Sequence, residues 1–216
     1  MHALNIALHV SSGALALLIG LAPLVSAKGG ARHRRFGRIF AGLSGVTLVC
    51  AVLGLVLADQ PPALAAVTLT VGYQYLGSWR ALRLRTPPGV VDAALALGAL
   101  GLGACVLASR RPGSDAFPPA VAYGTLGWLA AVAAYDLSRP LWGSQWLRVR
   151  TLDHGLKLVA VYFGMASAGA GNLLPGLRPW GQIVPNVLGV LVMLGFALAA
   201  ARRSAAARLP VPMTPA

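Results

Sequence analysis

Seven apolar runs, each long enough to cross a lipid bilayer, dominate this chain and limit the folds that it can adopt. They cover residues 3–27, 38–58, 63–82, 89–109, 118–137, 151–172 and 181–202. An α-helix rises 1.5 Å per residue, so about 20 apolar residues span the roughly 30 Å hydrocarbon core. The alternation of apolar and polar residues that is typical of membrane barrels is not seen. We therefore predict an all-α, polytopic transmembrane bundle of about seven helices.

The composition favours a membrane protein over other classes. Of the 216 residues, 57% are hydrophobic and 26 more are glycines, whereas soluble domains are about 45–50% apolar. This excludes a soluble enzyme, a disulfide-rich secreted module and a disordered chain. Residues 1–202 are predicted to form a single transmembrane domain, and residues 203–216 a disordered tail. The first run is expected to be a retained helix and not a cleaved signal peptide, because no basic segment precedes it.

The 18 basic residues are divided unequally between the two sides of the predicted bundle. One side carries fourteen of them: Lys28, Arg32, Arg34, Arg35, Arg38, Arg80, Arg83, Arg85, Arg139, Arg148, Arg150, Arg202, Arg203 and Arg208. Only Arg110, Arg111 and Arg178 lie in the opposite loops, and Lys157 falls within a run. The positive-inside rule then places the N-terminus outside and the C-terminus in the cytoplasm. The net charge of +13 is explained by this topology and by attraction to anionic lipid headgroups, and nucleic acid is not expected as a partner.

Polar residues inside the predicted spans are the candidates for function. Five of them fall near the cytoplasmic ends of the fourth, fifth and sixth helices: Asp92, Asp136, Asp153, His154 and Lys157. Asp153 and Lys157 have the i,i+4 spacing of a helical ion pair. Asp92 and Asp153 are predicted to lie in the first turns of their helices, where the macrodipole favours a negative charge. Helix caps with one ion pair would explain this pattern fully.

The functional alternative for the same residues is a polar vestibule that opens to the cytoplasm. In it, His154 could carry or relay a proton, because the unperturbed imidazole of histidine titrates near neutral pH. Tyr162 follows eight residues later on nearly the same helical face and could extend the path.

A second polar set is expected near the outer side, and consists of Asn5, His9, Asn172, Gln182 and Asn186. A lone histidine in such a position more often forms a hydrogen bond with a neighbouring helix than binds a metal. We therefore predict no metal site. The absence of glutamate also excludes Glu-based di-iron sites and the His-Glu-x-x-His zinc pattern.

Histidines in a helical bundle raise the question of haem. His9 and His154 are expected near opposite faces, about 15 Å apart in depth, so they cannot grip one iron from two sides. A haem with a single histidine ligand remains an alternative, and the sequence does not identify any other cofactor.

Two segments with arginines on the cytoplasmic side have alternative interpretations. Residues 137–150 place tryptophans beside arginines, which favours an anchor along the membrane surface, although a lid over a cytoplasmic opening is the alternative. His33, Arg34, Arg35 and Arg38 form a basic loop that could clamp a phosphate or lipid headgroup through charge-assisted hydrogen bonds. An ordinary positive-inside loop would have the same composition.

This basic loop, Lys28-Gly29-Gly30 followed by His33-Arg34-Arg35-Phe36-Gly37-Arg38, comes after a first helix that bears His9. Together with Gly77-x-x-Arg80-Ala81 and a late stretch from His154 through Asn172 and Trp180 to Pro185, it resembles a bacterial family of predicted polytopic membrane proteins of unknown function. The resemblance implies a multi-pass protein of the bacterial inner membrane. It implies no activity.

Three function classes remain open from the sequence. The leading hypothesis is a binding or transport protein for a small or lipid-like ligand that uses the cytoplasmic-side vestibule. The second is a membrane redox enzyme, or another intramembrane enzyme, with a cofactor at His9 or His154. The third is an accessory membrane subunit without chemistry of its own. Whether the protein is an enzyme and how it assembles are not determined by these patterns.

Overall fold

Seven long helices make up most of the chain in a computed structural model, which describes residues 2–58, 60–83, 87–109 and 119–206. The helices are α1 (His2–Val25), α2 (Ala31–Leu57), α3 (Pro62–Arg83), α4 (Val90–Ala108), α5 (Pro119–Ser138), α6 (Gln145–Leu173) and α7 (Trp180–Ala206). Short 3-10 turns at Arg139–Trp142 and Pro175–Leu177 precede α6 and α7. No strand occurs in these ranges, so the predicted all-α fold with seven helices is confirmed.

Two helices begin several residues earlier than the apolar runs predicted. Helix α2 starts at Ala31, so the basic segment from His33 to Arg38 is helical and its prediction as a loop is wrong. Helix α6 starts at Gln145, which makes the second half of the predicted surface segment part of a helix. In both cases polar residues extend the helix beyond the apolar run, because hydropathy locates the membrane-facing part of a helix and not its ends.

Some of the predicted features fall outside the described residues. These are Arg85, Arg110, Arg111, Arg208 and the part of the predicted tail at 207–216. Residues 203–206 continue α7 as helix.

Five of the described helices are long and apolar enough to cross a membrane, namely α1, α2, α4, the α5 segment through Trp142, and α7. The other two, α3 and α6, are the interior helices. Helix α3 packs against α2, α4, α5 and α6, while α6 also contacts α1 and α7. Because neighbouring helices cover them, α3 and α6 can carry polar side chains that a lipid-facing helix could not.

Hydrogen bonds and antiparallel packing hold α1 against α2. Asn5 donates to the carbonyl of Cys50 at 3.0 Å, and the His9 ring lies 3.0 Å from the carbonyl of Thr47. The hydroxyls of Ser12 and Thr47 are 2.9 Å apart at the same interface. Such polar contacts between helices stabilise association inside a membrane, where the hydrophobic effect does not.

Helix α7 is the most exposed of the candidate spans, since only 6% of its most apolar stretch is buried. Among the helices it packs extensively against α6 alone, and no comparable contact joins it to α5. The packing on α6 is close because glycine faces a bulky residue there. A Cβ atom built on Gly189 would lie 2.8 Å from the Cβ of Phe163, which is closer than real side chains approach.

We expect Gly189→Ala to lower the free energy of unfolding by about 1–3 kcal/mol, because the new methyl group would push α7 away from α6. Gly195→Ala is the matched control on the same helix, since a Cβ at Gly195 meets nothing within 4 Å. The control should be neutral or stabilising by up to about 1 kcal/mol, as helix propensity alone dictates. Thermal unfolding in mild detergent measures both, and equal effects would show that α6 and α7 do not pack this closely.

Candidate functional site

A buried network of charged side chains joins α3, α4, α5 and α6 at one end of the bundle. Its members are three carboxylates and three cationic groups: Asp92, Asp136, Asp153, Arg80, Arg139 and Lys157. All of them except Arg80 are at most 5% exposed. An isolated charge in such surroundings would be strongly destabilising, so the equal number of opposite charges is what allows their burial.

Arg139 is the centre of this network. Its guanidinium nitrogens lie 3.2 Å from Asp136, 3.2 Å from Asp153 and 3.9 Å from Asp92, so it contacts all three carboxylates. The guanidinium also lies 5.3 Å from the centroid of the Trp146 ring, which is fully buried. The 3-10 turn after α5 directs this arginine inward, and its planar, multi-donor group suits several carboxylates at once.

Lys157 forms the second set of contacts. Its Nζ lies 2.6 Å from Asp136 and 3.0 Å from Asp153, the latter one helical turn away. The i,i+4 ion pair predicted from the sequence is therefore confirmed. Gly77 of α3 leaves room for the lysine chain, because a Cβ there would lie 3.3 Å from its methylene carbons.

The edges of the network are also held by hydrogen bonds. Arg80 binds Asp92 with two bonds of 2.8 and 2.9 Å, and the amide of Gly89 donates to the same carboxylate at 3.2 Å. Asp92 thus caps α4, as predicted. The hydroxyl of Tyr73 donates to Asp136 at 2.7 Å, so this carboxylate is bonded on both oxygens.

The predicted inner residues divide into two groups. Asp92, Asp136, Asp153 and Lys157 come together in the network, whereas His154 lies beside it, with its ring 3.0 Å from the carbonyl of Ser78. The four belong to one set of ion pairs, and of these four residues Asp153 and Lys157 border a cavity whose other lining is mainly apolar. Asp153 is not in the first turn of α6, because the helix begins eight residues before it, so the predicted macrodipole contribution is wrong.

Tyr162 does not extend a polar path from His154. It packs among apolar and aromatic side chains, with its ring 6.1 Å from Phe40 and 5.1 Å from Phe163. The expected proton path is therefore not continued at Tyr162, whose surroundings are apolar.

Sequence reasoning missed three members of this site: Arg80, Arg139 and Tyr73. Both arginines were counted among residues of the cytoplasmic loops, and the interpretation of Arg139 and Trp146 as a membrane-surface anchor is wrong, because both are buried. Trp142 does remain partly exposed and packs on the ring of Tyr135. A charge count gives the missing signal: three inner carboxylates and one intramembrane lysine require further cations.

Two cavities lie in a cleft between α5 and α7, with α3 and α6 as its floor. The first, of about 510 Å³, is at the charged end and is bordered by Asp153, Lys157, Tyr135 and Trp142 together with mainly apolar residues. The second, of about 400 Å³, extends towards the opposite end. The two share four lining residues, Gln74, Trp128, Val190 and Met193, so they form one continuous cleft.

The predicted outer set is split between two interfaces. Asn5 and His9 join α1 to α2, as described above. Asn186 donates to the hydroxyl of Ser167 at 3.0 Å between α7 and α6, and Asn172 donates to the carbonyl of Ala168 within its own helix. Asn5, His9 and Asn186 therefore connect neighbouring helices, whereas Asn172 is exposed. Of the predicted outer set, Gln182 and Asn186 border the second cavity.

The basic segment lies at the same end of the bundle as the charged network. His33 bonds to the carbonyl of Pro23 at 3.1 Å, and Lys28 donates to the last carbonyls of α1 while its ammonium lies 4.4 Å from the ring of Phe196 in α7. Partial burial lowers the pKa of Lys28 below its usual value. Arg34, Arg35 and Arg38 are exposed, and the guanidinium of Arg34 donates to the carbonyl of Gly29.

Neither histidine proposed as a cofactor ligand borders the cleft. The rings of His9 and His154 both face backbone carbonyls, and neither residue lines either cavity. No group of three or more His, Cys, Asp or Glu side chains placed to hold a metal ion occurs in the described part of the chain.

Comparisons with models of protein families, with curated proteins and with solved structures gave no match to this chain. The family resemblance of the basic segment therefore stays a prediction.

We expect Arg139→Gln to lower the free energy of unfolding by about 3–5 kcal/mol, because it leaves buried carboxylates without a balancing charge. Arg148→Gln is the control, since Arg148 is an exposed arginine in the following helix and its loss should change stability by no more than about 0.5 kcal/mol. Denaturation of both variants in detergent measures the difference. Similar values for the two would contradict the central position of Arg139.

Proposed function

We propose that this protein is a multi-pass membrane protein that binds an amphipathic, lipid-like ligand in the cleft between α5 and α7. The observation that carries the proposal is the 510 Å³ cavity, whose lining is mainly apolar except at Gln74, Asp153 and Lys157. Ligand sites commonly have this form, with apolar walls and a few polar groups that set the orientation.

The position of the cleft favours a ligand that comes from the bilayer. Helix α7 contacts α6 but not α5 to any comparable extent, so the cleft is not closed on the side where lipid would lie. An acyl or isoprenoid chain could enter laterally and lie along the apolar walls, which would remove its surface from other lipids without exposing it to water.

The charged network indicates the kind of headgroup. Three carboxylates are matched by three cationic side chains, so the inner end of the cleft offers polar contacts but no excess charge. A neutral or zwitterionic headgroup would fit there, whereas a strongly anionic one would have to compete with Asp136 and Asp153 for Lys157. Trp142 and Tyr135 border the same end and suit the membrane interface.

All seven helices are proposed to span the inner membrane of a bacterium, with the N-terminus outside and the C-terminus in the cytoplasm. The interior position of α3 and α6 explains how they could span despite their polar residues. Twelve described basic residues belong to the segments on the side of the charged network, and one, Arg178, to the opposite side. The exposed arginines of the basic segment would then contact anionic headgroups of the cytoplasmic leaflet.

A cleft-filling variant tests the ligand proposal. Ala131 is exposed on α5 and borders the first cavity, so Ala131→Phe should occupy the ligand's volume and reduce the amount of co-purified lipid by about tenfold, equivalent to about 1.4 kcal/mol. Lipid extraction followed by mass spectrometry of protein purified in mild detergent measures the bound species and identifies its headgroup.

Ala130→Phe is the matched control, since Ala130 is exposed on the same helix but borders neither cavity. It should retain the wild-type amount of lipid. Equal retention by both variants, or a lipid profile identical to that of the surrounding membrane, would overturn the proposal.

Cysteine labelling tests the orientation separately. In a background with exposed Cys105 replaced by alanine, Gly176→Cys should react with a membrane-impermeant maleimide in intact cells, because Gly176 lies in the turn before α7 at the proposed outer side. Ser144→Cys, in the turn before α6, should react only after the cells are opened. The reverse pattern would show that the topology is inverted.

A further inference from the structure

We propose that the cleft between α5 and α7 selects its ligand by chain length, and that it takes an extended hydrocarbon chain of about 18 carbons. This inference rests on the proposed function, because it concerns the same cleft. It goes beyond that function in naming the length of the chain and in assigning the second cavity to the far end of that chain.

The helices that form the walls of the cleft give its length. On α7 the lining residues run from Gln182 to Ala197, and on α5 they run from Ala120 to Tyr135. Each wall covers fifteen residues, so at 1.5 Å per residue both are about 22 Å long. An extended hydrocarbon chain, with zigzag bonds of about 1.5 Å, advances about 1.25 Å per carbon and needs about 18 carbons to cover this distance.

The far end of the cleft, away from the charged network, coincides with the end of the bundle. Ala120 is the second residue of α5, and Leu64 and Gln182 are the third residues of α3 and α7. Gln182 is also buried on α6, where a Cβ on Gly171 would lie 2.5 Å from its amide nitrogen. Carbons beyond this level would leave the apolar walls and meet the headgroup region or water, which limits the useful chain length.

The middle of the cleft suits a hydrocarbon chain and not a headgroup. Trp128 borders both cavities, and its indole donates to the side-chain oxygen of Gln74 at 3.0 Å. The Gln74 amide donates to the carbonyl of Thr70, and Thr125 donates to the carbonyl of Val121 in its own helix. Because these donors are already used, a headgroup here would lose its hydration without an equal gain in hydrogen bonds. The headgroup therefore stays at the charged end, and the chain extends past Trp128.

The second cavity is the part of the cleft that distinguishes long chains from short ones. One leaflet supplies about half of the roughly 30 Å hydrocarbon core, so a chain about 22 Å long crosses the middle of the bilayer. A short chain held at the charged end would leave this cavity of about 400 Å³ unfilled, and its walls would lose dispersion contacts. Binding should therefore strengthen with chain length until the far end of the cleft is reached.

Two glycines of α5 provide a matched pair of variants. Gly124 and Gly127 are both exposed, and a Cβ on either one meets no atom of another helix within 4 Å. Gly124 borders the second cavity, whereas Gly127 borders neither cavity. Gly124→Leu should therefore block the cleft without disturbing the helix. The block lies eleven residues, or about 16 Å, from Tyr135 at the charged end, which leaves room for about 13 carbons.

Competition among 1-monoacylglycerols that share one uncharged headgroup tests the length selection. Purified protein in mild detergent is equilibrated with an equimolar mixture of saturated chains of ten, fourteen, eighteen and twenty-two carbons, and mass spectrometry compares the bound and free fractions. For the wild type, the ratio of bound to free lipid should rise about fivefold from ten to eighteen carbons and no further at twenty-two. For Gly124→Leu the rise should stop at fourteen carbons, and Gly127→Leu should match the wild type.

Two results would overturn the inference. A wild-type ratio that is the same for all four chains, or that continues to rise to twenty-two carbons, would show that the cleft does not select this length. The same profile for Gly124→Leu and Gly127→Leu would show that the chain does not reach the second cavity.

The outcomes separate this inference from the proposed function. If Ala131→Phe removes the co-purified lipid while the wild type binds all four chains equally, the cleft binds lipid but the length selection fails. If Ala131→Phe retains the wild-type lipid and its chain preference, the first cavity is not the lipid site, and the proposed function and the length selection fail together.

Discussion

The contact between Arg139 and three buried carboxylates is the interaction on which the arrangement of the interior helices depends. Each of these charges would be strongly destabilising alone, because burial removes its hydration. Together they balance, and the balance requires α4, α5 and α6 to meet at one level of the bundle. Lys157 and Arg80 complete the neutralisation, the latter from α3. The network therefore specifies which helices are neighbours. Apolar packing between helices of similar composition would specify their arrangement only weakly.

The bundle contains two kinds of helix. Helices α3 and α6 are covered by their neighbours, so they tolerate polar residues. The remaining helices present apolar surfaces outward and contain the five candidate spans. One consequence is the cleft between α5 and α7: α7 packs closely on α6 through Gly189 and Phe163, and leaves a space towards α5 that no described side chain fills. The proposed lipid site therefore exists because α5 and α7 do not pack closely against each other.

Much of the fold could be predicted from sequence, while much of the site could not. The helices follow from the lengths of apolar runs, and the Asp153–Lys157 pair from its spacing within one helix. Arg139 was missed because its position after a helix is typical of a positively charged loop, and nothing local shows that the 3-10 turn directs it inward. Gln182 was likewise one polar residue among several until its burial beside Gly171 was known. Both depend on contacts between separate helices.

By itself the sequence determined that this chain forms seven helices with a strongly apolar character, because transfer of a side chain into hydrocarbon depends on the residue and adds along a segment. It also supplied the asymmetry of basic residues on which the proposed orientation rests. Only the tertiary structure decided which charges pair and where the cleft lies. Those properties depend on distances between side chains far apart in sequence, and such distances arise only when the helices pack.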